Sequence, residues 1–110
     1  MLPRLTTEFW VQALLRRCAG EGLFGAVLHT GNAEAGALMV VINHCDGGYT
    51  LLRPPPGPAY DDDSKRMFEK HNTVPETWPE IRQTVERARG FDTDLWVVEI
   101  EDKHGFAGLL

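Results

Sequence analysis

The sequence predicts an α+β domain: a mostly antiparallel sheet of four to five strands with two helices packed on one face. Three observations lead there. Two stretches carry apolar residues at helical spacing, and four or five short runs rich in β-branched and aromatic residues lie between or after them. Their order, α-β-β-β-(β)-α-β, groups adjacent strands and separates only two helices, the pattern of a sheet with segregated helices. At 110 residues the chain has the length of one domain, spanning 1–110, and buries enough surface to fold without a metal or disulfide staple.

The first helix is expected at residues 7–19. Thr6 or Thr7 caps it, Glu8 suits the positive end of the dipole, and Trp10, Ala13, Leu14 and Arg17 follow at helical spacing. Gly20 or Gly22 ends it. Leu23 to Thr30 reads as a strand, followed by a glycine-bounded loop at 31–36. Ala37 to His44 is a near-continuous apolar run, which predicts a strand covered on both faces or nearly so. Asp46-Gly47-Gly48 supplies a hairpin turn of type I′, and Tyr49 to Arg53 returns as a third strand, making an antiparallel meander.

Pro54-Pro55-Pro56-Gly57-Pro58 offers almost no backbone donors, and Asp61-Asp62-Asp63 adds charge, so 54–63 is expected to be a solvated Pro/Asp-rich excursion. Ser64 to Lys70 is a candidate edge strand, with Met67 and Phe68 touching the core. Thr77 and Glu80 have capping-box spacing around Pro79, opening a second helix at 78–89 with Trp78, Ile81, Val85 and Ala88 as its apolar stripe. Leu95 to Glu101 is the last strand. Trp96, Val98 and Ile100 share one face and point to the helices; Leu95, Val97, Glu99 and Glu101 share the other.

Charge and composition exclude several functions. Sixteen acids against eleven Lys and Arg give a net charge of −5, all of it arising in residues 54–110. Such a domain lacks the basic field that nucleic acid or an anionic membrane requires, so neither is expected as a partner. The N-terminal residues contain no signal-peptide h-region, and Cys18 and Cys45 lie far apart in different elements. Free thiols and a cytoplasmic location follow as expectations.

Motifs for chemistry are sparse. A restriction-type nuclease site needs an acid on the second strand and acid-x-Lys on the third, and Ala37–Asn43 and Tyr49–Arg53 carry neither. His44-Cys45-Asp46 are neighbours whose side chains alternate in direction, and no Cys-x-x-Cys or His-x-x-x-His is present, so no metal or cofactor is expected. Gly20-Glu21-Gly22 follows a helix and so presents no amides to a phosphate. His29, Glu99 and Glu101 are the weak catalytic candidates, with a structural role for the acids favoured.

Larger blocks carry a family pattern. Arg4-Leu5 precedes Trp10-Val11 and Ala13-Leu14-Leu15-Arg16-Arg17. Ala35-Gly36-Ala37, Val40-Val41-Ile42-Asn43 and Asp46-Gly47 follow, and the pattern closes on Phe91-Asp92 and Asp94-Leu95-Trp96-Val97-Val98-Glu99-Ile100-Glu101-Asp102. On these residues the chain resembles a bacterial family known as domain of unknown function 1491, with Thr93 standing where that pattern has proline and a weaker match across 54–72. The resemblance implies a small α+β domain and supplies no catalytic residue.

Function is therefore expected to be a small cytoplasmic interaction domain, pairing with a protein partner or itself. Met39, Val41, Leu95 and Val97 are the interaction candidates, as an apolar sheet face turned away from the helices. The alternative is a small hydrolase or ligand-binding enzyme with His29, Glu99 and Glu101 on that same face.

Overall fold

The computed structural model describes residues 5–61 and 65–104. In chain order it contains α1 (Thr7–Gly20), β1 (Phe24–His29), β2 (Leu38–Asn43), β3 (Tyr49–Arg53), β4 (Glu69–Lys70), α2 (Trp78–Phe91) and β5 (Trp96–Glu101). The five strands form one mixed sheet in the order β1-β5-β2-β3-β4. Three of its pairings are antiparallel, and β2/β5 is parallel. The α+β class and the order of elements are as the sequence predicts.

The caps account for both helix starts. Thr6 accepts from the Phe9 amide at 3.2 Å, while Glu80 accepts from the Thr77 amide at 3.1 Å in a full capping box. At the end of α1 the Glu21 amide returns to the Arg17 carbonyl, and Gly22 takes φ +75° to turn the chain toward β1.

Two expectations are corrected. β1, β2 and β3 do not form a meander, because β5 lies between β1 and β2. The helices also do not share a face. Val11, Leu14 and Cys18 of α1 pack on Leu38, Val40, Ile42, Leu52, Trp96, Val98 and Ile100. Ile81 and Val85 of α2 pack on Met39, Val41, Leu51, Leu95 and Val97. A parallel pair such as β2/β5 needs a crossover connection over one face of the sheet, and α2 supplies part of it. The continuous apolar runs of β2 and β5 are what strands buried on both faces require.

Smaller departures have local causes. The β2–β3 connection runs from His44 to Gly48, with positive φ at Cys45 and Gly47, and is longer than a type I′ turn at Asp46-Gly47. The candidate edge strand shortens to Glu69–Lys70. Its neighbour Phe68 packs on the α1 layer, 5.9 Å from Trp10 between ring centroids.

The loop 31–36 is fastened to the start of β5. The Asn32 amide donates to the Asp94 carbonyl at 3.0 Å, and the indole N–H of Trp96 donates to the Asn32 carbonyl at 2.7 Å. A Cβ at Gly31 or Gly36 would collide with the Asp94 carbonyl, so the approach depends on glycine at both places.

Candidate functional site

Register settles the surroundings of the acids on β5. Glu99 stands between Ala26 of β1 and Val41 of β2, and Glu101 between Phe24 and Asn43. All of these lie on the α2 side of the sheet. Glu99 accepts from the Asn43 side-chain amide at 3.1 Å. The phenol of nearby Tyr49 is pushed up by burial first and by the charge of Glu99 second. His29 stands opposite Val97, one step along the same face from Glu99, but no hydrogen bond joins it to either acid. Among the described residues no group of three His, Cys, Asp or Glu side chains is arranged to hold a metal.

Met39, Val41, Leu95 and Val97 are core residues and do not form a bare face. Each is buried, the most accessible being Met39 at 8%, beneath Ile81 and Val85 of α2. The helices lie on opposite faces of the sheet, so these four residues form no exposed patch.

The surface that does lie open is an edge. On the far side of the sheet β3 is closed off: β4 pairs with Leu52 and Arg53, Asn72 accepts from the Leu51 amide at 2.8 Å, and Glu76 bridges to Tyr49. β4 itself has only two residues, both charged, with Glu69 held by Arg53 at 2.9 Å. β1 is different. Among the described residues its backbone pairs with β5 alone, and Phe-Gly-Ala-Val-Leu-His contains no Asp, Glu, Lys or Arg. Phe24 is 61% exposed, Leu28 45% and Val27 37%. A β-bulge between Val27 and His29 interrupts the ladder, leaving Phe24–Val27 as its regular part. Beyond the bulge, Leu28 and His29 line a groove of about 160 Å³ with Trp78, Arg82 and Arg89 of α2.

A second feature lies on the α1 side. Arg66 lines a recess together with Ala35–Leu38, Pro54, Ala59, Tyr60, Met67 and Phe68, where Tyr60 and Arg66 form an isolated β-bridge. Its guanidinium Nη2 donates to the Thr7 hydroxyl at 3.1 Å and to the Tyr60 hydroxyl at 2.9 Å. Sequence reasoning does not single out Arg66, because the Pro/Asp-rich composition around it points to solvent. Asp62 and Asp63 of that excursion, and Ser64 at the start of the candidate edge strand, lie outside the described residues.

A family model described as a protein of unknown function (DUF1491) matches residues 5–109. Solved structures that share the fold include the following three. A solution structure of an A. tumefaciens protein is 40% identical, covering 98% of this chain and 93% of that one, with a TM-score of 0.80. A crystal structure of a DUF1491 family protein from Caulobacter crescentus CB15 is 32% identical over 92% of this chain and 89% of that one, TM-score 0.74. An NMR structure of a DUF1491 family protein from the same organism is 33% identical over 94% and 91%, TM-score 0.75. No curated protein matches the sequence.

Proposed function

The chain belongs to the DUF1491 family of proteins of unknown function, and with no activity to inherit from it we propose that it is an interaction domain that self-associates through β1. One observation carries the proposal: the sheet closes off its β3–β4 side with a charged two-residue strand, the Asn72 side chain and Glu76, and leaves β1 uncharged and unpaired on its outer side among the described residues. An edge strand of this kind is a template for another strand, and natural proteins guard such edges with lysine, proline or short length. β1 has none of the first two, and its bulge limits pairing to Phe24–Val27 without covering it.

The occupant we assign is a second copy of the chain. Two β1 strands meeting antiparallel bring no like charges together, and they cover Phe24 and Val27, which a monomer leaves in water. Cytoplasmic residence fits the same reading, since the exposed Cys45 and the buried Cys18 are both free thiols. No helix among the described residues is long and apolar enough to cross a membrane.

The alternative, a hydrolase at His29, Glu99 and Glu101, has less support. The Glu99 carboxylate is engaged by Asn43, and His29 lines the groove with Arg82 and Arg89. Sedimentation tests the proposal. The wild type is expected to dimerise with rising concentration, and Val27→Lys to remain monomeric with its fold intact. A wild type that stays monomeric throughout, or a Val27→Lys protein that dimerises equally well, would reject it.

A further inference from the structure

Among the described residues Arg66 forms no ion pair: the pairs are Arg53–Glu69 and Arg82–Glu86. Its guanidinium carbon lies 5.4 Å from the Trp10 ring centroid and 5.2 Å from that of Tyr60, so two aromatic rings and two hydroxyls fix the plane of the group. Its Nε is buried and has no hydrogen-bond partner. Burial lowers its pKa, yet a guanidinium keeps its proton in a protein. A fixed, partly desolvated positive charge with an idle N–H is costly to keep unless something negative meets it.

The recess before it is mostly apolar. Ala37, Leu38, Pro54, Met67 and Phe68 form most of its wall, and its volume is about 150 Å³. Pockets that take drug-sized ligands run to roughly 300–1,000 Å³, so the occupant is small.

We propose that this recess binds a small organic monocarboxylate, its carboxylate on the Arg66 guanidinium and its apolar body against Leu38, Met67 and Phe68. With Nη2 donating to Thr7 and Tyr60 and Nε buried, Nη1 is the nitrogen left to give a carboxylate a charge-assisted hydrogen bond. A phosphate dianion would meet no second cation among the described residues of the lining, and the apolar wall gives it nothing further.

Titration of the isotope-labelled full chain with benzoate, and separately with its neutral isostere benzamide, tests this. Benzoate is expected to shift the amides of Ala37, Leu38 and Arg66 to Phe68 saturably in the millimolar range, while benzamide leaves them in place. Arg66→Met is expected to weaken benzoate binding by about tenfold or more. Should Arg66→Met fail to fold, Arg66→Lys keeps the charge without the planar guanidinium that Thr7 and Tyr60 hold in place, and is expected to bind more weakly than wild type. Equal shifts from benzoate and benzamide, no shift at these amides, undiminished binding by either arginine variant, or the same shifts from inorganic phosphate would each overturn the assignment.

Discussion

Leu95 and Trp96 are neighbours in the chain and belong to opposite layers: Leu95 packs beneath α2 with Val97, and Trp96 beneath α1 with Val98. Like β2 and β3, the strand that begins here, β5, holds both helices to the sheet through its two faces, and it also joins β1 to β2. The stability of the fold and the position of the open β1 edge both depend on it.

Both layers should be needed. Ile81 of α2 is fully buried, so Ile81→Ala is expected to cost roughly 2–5 kcal/mol in urea unfolding. Phe91 at the end of the same helix is 90% exposed, and Phe91→Ser should change stability by no more than about 0.5 kcal/mol. A small effect at Ile81 would mean that α2 does not cover this face in solution.

Two glycine-to-alanine changes should differ in sign. At Gly36 the added methyl meets the Asp94 carbonyl and the Trp96 ring, so the loop must leave β5 and thermal stability falls. At Gly20, the last residue of α1, nothing lies within 4 Å of an added Cβ, and the gain in helix propensity is at most about 1 kcal/mol. Calorimetry of the two variants decides this.

The capping box of α2 makes a pH-dependent contribution. The Thr77 amide and hydroxyl both donate to Glu80, and these bonds lower its carboxyl pKa below the ordinary glutamate value. A pKa lowered in the folded state gives stability that is present above the unfolded value and lost as pH falls through the folded one. The stability difference between wild type and Glu80→Ala should therefore be greatest near neutral pH and shrink in acid. A difference independent of pH would contradict the assignment.

How far the sequence discloses this arrangement depends on distance along the chain. Helix ends are local, and Thr6, the Thr77–Glu80 pair and Gly22 declare them within a few residues. Strand order is not local: nothing in β1 or β2 records that β5, more than fifty residues later in sequence, will lie between them. The apolar runs Leu38–Ile42 and Leu95–Val98 do signal burial on both faces, and read together they imply helices on both sides. Grouping the helices on one face turned Met39, Val41, Leu95 and Val97 into a surface that does not exist. Which strand ends the sheet is equally non-local, since it depends on which side of β1 the distant β5 adds to. Arg66 was hidden by composition, because prolines and aspartates around it conceal a side chain that turns inward to Thr7 and Tyr60.

Thiol chemistry separates the two cysteines. Cys18 is fully buried in the α1 layer, and burial pushes its thiol pKa up, whereas Cys45 is exposed on the β2–β3 loop. Ellman's reagent should modify Cys45 rapidly in the native protein and reach Cys18 only on unfolding. Rapid modification of Cys18 in native conditions would show that α1 opens.

Amide hydrogen exchange along β1 tests self-association most directly. If a second copy adds to this edge, protection of amides within Phe24–Val27 rises with protein concentration, and Val27→Lys abolishes that rise while protection of β2 and β5 is retained. Protection in β1 that is independent of concentration, whether the chain stays monomeric or dimerises elsewhere, would contradict the account.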